Sequence, residues 1–134
     1  MSVQKDLWFD ASKCFIGGEW IAPVGGETLA LENPSNGTVI ARIARGQTGD
    51  ADAAIQAAQA ALSGEWGRKT AVERGRILTR IGQLVLERVD VLARLEAADV
   101  GKPLKQARAD AIALARYMEF YGGAADKIHG ETIP

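Results

Sequence analysis

The sequence predicts an α+β fold, two antiparallel β-hairpins followed by three or four helices. Three observations predict it. Short β-favouring runs bounded by Gly, Pro and Asn clusters fill residues 14–45. Over residues 50–125 the apolar period changes from two to three or four. No strand-like run lies between the helical stretches, so the chain contains no βαβ unit of its own.

Residues 1–13 carry no periodic pattern and read as a loose N-terminal arm. Cys14-Phe15-Ile16 and Glu19-Trp20-Ile21 flank Gly17-Gly18, a pair suited to a two-residue hairpin turn in which both central residues need positive φ. Pro23 and Gly25-Gly26 turn the chain again. Glu27 to Glu32 alternates as a strand, with Leu29 and Leu31 on one face. Asn33-Pro34-Ser35-Asn36-Gly37 is dense turn chemistry: Pro34 presets φ, Asn33 can form an Asx turn, and Gly37 tolerates positive φ. Thr38 to Arg45 returns with Val39, Ala41 and Ile43 on one face.

The helical part opens at Asp50, whose charge and that of Asp52 suit the positive end of a helix dipole. Ala51 to Leu62 follows, closed by Gly64. Glu65 to Pro103 holds the longest helical period. Thr70 and Glu73 have capping-box spacing. Ile77, Ile81, Leu84, Val85, Leu92 and Leu95 make one apolar stripe, which must bury itself against something. Asp90 suits the cap of a second helix that would break the run near Arg88, and Gly101-Lys102-Pro103 ends it. A last helix, Leu104 to Ala125, presents Leu104, Ala107, Ala111, Leu114, Met118, Tyr121 and Ala125, with Gly122-Gly123 weakening its final turn. The tail from Ile128 reads as the entry to a further strand or loop.

Composition bounds the function. Sixteen basic and seventeen acidic residues leave a net charge of −1, which gives no electrostatic footprint for nucleic acid or an anionic membrane. One cysteine, Cys14, and one histidine, His129, rule out an intrachain disulfide and any metal site built on those residue types. No apolar run approaches a membrane span, and the first residues lack the features of a secretory signal, so the expectation is a cytoplasmic chain.

Few residues invite chemistry. Gly67-Arg68-Lys69-Thr70 has the ending of a P-loop without its upstream glycine or preceding strand, and reads better as a helix lead-in and cap. Cys14 has no neighbouring base in sequence and reads as a structural thiol, and His129 is assigned no chemistry. Arg68, Lys69, Arg74, Arg76 and Arg80 form a basic cluster that suits a solvated helix face or pairing with carboxylates. Asp99 lies where a helix ends, among carbonyls without intrahelical partners. It reads equally as an exposed Asp bonded within the turn or as a ligand to a hard cation.

Five blocks in order then resemble one family: FIGGEWI (Phe15 to Ile21), ENPSNGTVIARI (Glu32 to Ile43), ERGRIL (Glu73 to Leu78), LEAADVGKPL (Leu95 to Leu104) and YGGAADKIHGETIP (Tyr121 to Pro134). Together they look like the N-terminal segment of the NAD(P)-dependent aldehyde dehydrogenase superfamily. The resemblance implies that residues 14–134 are the incomplete N-terminal portion of a Rossmann-like cofactor domain, hairpins at 14–45 and helices at 50–125, within an α/β parent enzyme. It implies a parent that uses NAD or NADP and oxidises an aldehyde through a cysteine thiohemiacetal, assembled as a homo-oligomer, dimer or tetramer. The family's nucleophile, general base and cofactor-binding loops match nothing in this chain, so no catalytic or cofactor-binding residue is assigned and the chain is expected to be inactive alone.

Two roles carry over by position. Many members hold a monovalent cation with a main-chain carbonyl before the Asn-Pro-Ser turn and an aspartate before Gly-Lys-Pro, which match Leu31 and Asp99. The helix after Gly-Lys-Pro borders the substrate tunnel, with Asp110 and Ala113 at the matching positions; an acid there suits a cationic aldehyde. The expected partner is the remainder of an aldehyde dehydrogenase chain. A free-standing helical interaction module, or one half of a split enzyme, are the alternatives.

Overall fold

The computed structural model describes residues 6–130; residues 1–5 of the arm and 131–134 of the tail lie outside the described residues. The elements run β1 (Cys14–Ile16), β2 (Glu19–Ile21), β3 (Thr28–Glu32), β4 (Val39–Ala44), α1 (Thr48–Ser63), α2 (Glu65–Arg68), α3 (Ala71–Glu87), α4 (Val89–Val100) and α5 (Leu104–Ala124). The predicted α+β order holds, with two separate antiparallel two-stranded sheets. The described residues form two compact units. One holds the chain up to Arg68 together with Arg94–Lys102; the other holds Lys69–Ala93 and the chain from Pro103 onward.

In the first unit, Gly17 and Gly18 turn the β1–β2 hairpin at φ +64° and +90°, the left-handed pair that a two-residue loop needs. Phe15 faces Trp20 across it, ring centroids 4.9 Å apart. In the second hairpin Leu31 pairs with Ala41 but Glu32 pairs with Val39, so one extra residue is accommodated as a bulge beside the turn. Asn33 closes that turn as an Asx motif, its Oδ1 accepting the Ser35 N–H at 2.8 Å.

Helix α1 begins at Thr48, three residues before the sequence pattern places it. The reason is Asp50, which sits in the first turn and is only 5% exposed. Its Oδ2 accepts the Gln47 N–H at 2.8 Å and its Oδ1 accepts the Val24 N–H at 3.0 Å. A buried carboxylate is tolerated because main-chain donors and the helix dipole replace its water. The same bonds tie the loop after β2 to the start of α1.

Residues 6–13, patternless in sequence, are tied down by three contacts. Arg94 donates from Nε and Nη2 to the two carboxylate oxygens of Asp6 at 2.9 and 2.8 Å. This fork-to-fork geometry, through the Arg94 hydrogen bonds, holds the Asp6 carboxyl below the usual carboxylate range. Phe9 stacks on Trp20 at 4.9 Å, and the Ala44 N–H donates to the Ala11 carbonyl at 2.9 Å.

The second unit is organised by the pairing of α3 with α5. The predicted capping box starts α3: the Glu73 N–H donates to Thr70 Oγ1 at 3.3 Å and the Thr70 N–H donates back to Glu73 Oε2 at 2.7 Å. Those donors from Thr70, main chain first, lower the Glu73 pKa. Helix α3 ends at Glu87, and Arg88 at φ −121°, ψ 18° breaks the run where the sequence places a break. Asp90 does not cap α4; it lies in its first turn and accepts from Arg108 Nε at 2.9 Å.

The predicted stripe is corrected in both helices. The break moves Leu92 and Leu95 onto α4. On α3 the buried residues are Gly75 and Gly82, whereas Ile77, Ile81 and Leu84 remain 36%, 40% and 38% exposed. On α5 the buried line is Ala107, Ala111 and Ala115, continued by half-buried Met118 and Gly122, while Leu114 and Tyr121 are exposed. The small residues explain it. A Cβ added to Gly75 would lie 2.3 Å from the Gly122 carbonyl oxygen, and one added to Gly122 would lie 2.7 Å from that of Gly75. One added to Gly82 would lie 2.9 Å from the Ala115 carbonyl oxygen. The helices run antiparallel with their backbones in near contact, and large side chains have no room between them.

A sharp contrast follows for alanine substitutions. Gly75→Ala and Gly122→Ala each gain about 1 kcal/mol of helix propensity but overpack a backbone carbonyl. Each is expected to lower stability by about 1–2 kcal/mol net. Gly123→Ala, which meets nothing within 4 Å, is expected to raise stability by up to about 1 kcal/mol. Denaturant midpoints of the three variants check both signs.

Candidate functional site

The positions that the sequence singles out fall in separate places, and each unit carries two. In the first unit, Leu31 lies half-buried on β3, three residues before Pro34. Asp99 is exposed in the last turn of α4. The structure brings these segments together through Gly101. That residue stands at φ +72° and its N–H donates to the Ala97 carbonyl at 3.1 Å, which ends α4 as a left-handed cap. A Cβ on Gly101 would lie 3.0 Å from Pro34 Cγ and 3.8 Å from Ser35 Oγ. The end of α4 is therefore seated on the Asn-Pro-Ser turn that follows Leu31.

Lys102, the middle residue of Gly-Lys-Pro, donates from Nζ to Glu96 Oε1 at 2.6 Å. This part-buried pair folds the lysine back along α4 and places a cation beside the helix C-terminus, where the dipole favours it. Pro103 then starts α5, accepting the Gln106 and Ala107 N–H groups on its carbonyl at 2.9 and 3.0 Å. A tight cap, a returned lysine and a proline thus compress the helix exchange into three residues.

In the second unit, Asp110 is half-buried on α5 and its Oδ1 accepts from Gln106 Nε2 at 3.0 Å. Ala113, one turn later, is exposed. The same helix carries exposed Leu114, Tyr117 and Tyr121, which with Asp110 recur at four, three and four residues and so share one face. An aromatic and aliphatic face with one carboxylate at its start can line an apolar passage and favour positive charge at one end.

The remaining candidates settle into structural contacts. Cys14 is half-buried on β1, and a Cβ on Gly46 would meet its Sγ at 4.0 Å. Gly67 belongs to α2, where its Cα faces the Leu62 carbonyl too closely for any Cβ, so packing explains it without a phosphate. Within the basic cluster Arg74 donates from Nε and Nη2 to the Lys69 carbonyl at 3.1 and 2.8 Å, and Arg80 reaches Glu87 at 3.2 Å. A shallow groove of about 430 Å³ between the β1–β2 turn and α1 is lined by Phe15, Ile16 and alanines and holds no titratable group. Among the described residues no group of three His, Cys, Asp or Glu side chains is placed to hold a metal, and no helix is long and apolar enough to cross a membrane.

The model of the aldehyde dehydrogenase family matches residues 20–134. The chain belongs to that family. Aldehyde dehydrogenase family 2 member C4 of Arabidopsis thaliana is 41% identical over 91% of the chain, which covers 25% of that protein. Solved structures agree in fold. A Burkholderia cenocepacia protein assigned as an aldehyde dehydrogenase superposes with a TM-score of 0.87 at 55% identity, over 91% of this chain and 26% of that one. A betaine aldehyde dehydrogenase of Staphylococcus aureus, solved with NAD+, superposes with a TM-score of 0.88 at 35% identity, over all of this chain and 27% of that one. The chain thus spans about a quarter of the length of these relatives. It has the coverage expected of the family's N-terminal segment, whose parent fold is Rossmann-like.

Sequence reasoning missed two features of the site. The seat of Gly101 on Pro34 is a tertiary contact with no local signature beyond the glycine itself. The buried Asp50 was legible only as a helix-start acid, because its partner Val24 lies 26 residues away. The seat can be weighed directly. Gly101→Ala and Gly26→Ala both place a side chain at positive φ, costing about 1–2 kcal/mol each, but only Gly101 also meets a neighbour. Gly101→Ala is expected to destabilise more than Gly26→Ala in thermal unfolding, and equal losses would show that the seat contributes nothing.

Proposed function

We propose that this chain is the N-terminal portion of the cofactor domain of an NAD(P)-dependent aldehyde dehydrogenase, supplying scaffold and two peripheral subsites to chemistry performed by the rest of the enzyme. The observation that carries the reading is the family match over residues 20–134 combined with a span of about a quarter of the relatives' length. The relative solved with NAD+ supports NAD or NADP as the parent's cofactor. When bound, the nicotinamide supplies a hydride acceptor for aldehyde oxidation; no residue of this chain is assigned to hold it. Oligomeric assembly, as a dimer or tetramer, belongs to the same reading.

The first subsite is a partial monovalent-cation site formed by the Leu31 carbonyl and the Asp99 carboxylate. Both are hard oxygen donors. Asp99 stands in the final helical turn, where carbonyls lacking intrahelical donors add negative potential. The seat of Gly101 on Pro34 supports the fit, because it holds the aspartate's helix end against the turn that follows Leu31. The second subsite is the α5 face at Asp110 and Ala113, which would border the substrate passage. Asp110 would there draw an aldehyde bearing positive charge.

Partial burial favours this reading over a free-standing module. The described core holds only alanines among buried apolar residues, and large apolar side chains of α3 stay open. Cys14, set in a hairpin strand, serves packing and not nucleophilic attack in this account.

The purified chain, given short aldehydes with NAD+ or NADP+, is expected to form no reduced nicotinamide above background. Turnover that disappears on Cys14→Ala would overturn the assignment, since it would place the nucleophile within this chain.

A further inference from the structure

We propose that Asn36 is a site of spontaneous deamidation, converted through a succinimide to isoaspartate and aspartate within the β3–β4 turn. The inference rests on the turn itself and is independent of the proposed function. The chain has two asparagines, Asn33 and Asn36, and their successors set opposite fates. Asn33 precedes Pro34, whose ring nitrogen carries no hydrogen and cannot close the neutral succinimide ring. Asn36 precedes Gly37, whose missing side chain leaves its nitrogen the least hindered route to the Asn36 Cγ. Asn36 and Gly37 are both exposed, and a Cβ built on Gly37 would meet nothing within 4 Å.

The chemistry balances without any redox partner. Base removes the Gly37 N–H proton and the nitrogen attacks Asn36 Cγ. The new C–N bond forms as the side-chain nitrogen takes a proton and departs as ammonia. Water then adds to one of the two ring carbonyls. Opening at the side-chain carbonyl gives aspartate; opening at the main-chain carbonyl gives isoaspartate, with an extra methylene in the backbone.

Two features of the turn act in opposite directions. The Gly37 N–H donates to the Asn33 carbonyl at 2.8 Å, and this bond must open before the nitrogen attacks. In an exposed turn a net hydrogen bond is worth about one decade in rate. Against this, Asn36 Oδ1 already accepts the Thr38 N–H at 3.0 Å and the Thr38 hydroxyl at 2.7 Å. Those donors point at the oxygen that becomes negative as the tetrahedral intermediate forms, and would stabilise it as oxyanion donors do. The folded turn is therefore expected to react within about tenfold of the unfolded chain.

The product alters the turn in two ways. Either acid adds a negative charge, and isoaspartate lengthens the main chain between Asn33 and Thr38, whose N–H-to-carbonyl bond of 2.8 Å closes the hairpin. The altered turn is the one on which Gly101 is seated.

The test is a time course of the intact chain at mildly alkaline pH and body temperature, with intact mass, peptide mapping and isoaspartyl methyltransferase labelling. The expected result is conversion of an amide to an acid confined to the peptide containing Asn36, isoaspartate predominating, and abolished by Asn36→Gln. A parallel sample unfolded in urea is expected to react no more than about tenfold faster. No conversion at Asn36, first conversion elsewhere, or a folded rate more than about a hundredfold below the unfolded one would overturn the proposal.

Discussion

The near-contact of two helix backbones at Gly75 and Gly122 decides how the second unit is built. Each carbonyl approaches the other glycine so closely that a single added carbon would clash. Close packing at this separation rewards dispersion between many backbone atoms, and it works only if side chains are absent. Gly82 against Ala115 extends the contact one helical repeat further. The consequence is inverse to the usual amphipathic helix: the face of α3 that is buried within the unit is its small-residue face. Ile77, Ile81 and Leu84 are turned to a different direction and keep more than a third of their surface.

That constraint links the fold to the proposed role. A helix whose small face is satisfied internally still has a large apolar face to offer, worth roughly 25 cal/mol for every Å² removed from water. In the proposed reading, the remainder of the cofactor domain is what that face meets. An inner glycine seam and an outer aliphatic stripe suit a helix that joins two layers of a larger domain. In the first unit the same logic is applied with polar groups. Asp50 joins a loop to a helix start, Asp6 and Arg94 bind the arm to α4, and Gly101 seats the end of α4 on the Asn-Pro-Ser turn.

Local chemistry was the legible part of the sequence. Gly17-Gly18, the Asn33–Gly37 turn, the Thr70–Glu73 box and the Gly101-Lys102-Pro103 stop each act over a few residues, and each is found where it was expected. The choice of buried face was not legible from apolar periodicity, because that signal weights Ile and Leu and gives glycine nothing. The clue was present in another form. Gly75, Gly82 and Gly122 each cost about 1 kcal/mol in a helix interior, and seven-residue spacing places the first two on one face. A glycine kept at that cost points to a close neighbour. Asp99 stood out from its place among the free carbonyls of a helix end and Leu31 only from the family resemblance; the seat of Gly101 on Pro34, a tertiary contact, was foretold by no local pattern.

The central claim is that the aliphatic face of α3 is not part of the unit's own core. Hydrophobic dye binding by the chain, before and after replacing Ile77, Ile81 and Leu84 together with glutamine, tests it most directly. The account predicts strong dye binding by the original chain, and a large loss of binding in the triple variant with helix content and unfolding midpoint essentially retained. A triple variant that unfolds, or an original chain that binds no dye, would contradict it, because either result would place those side chains inside the core.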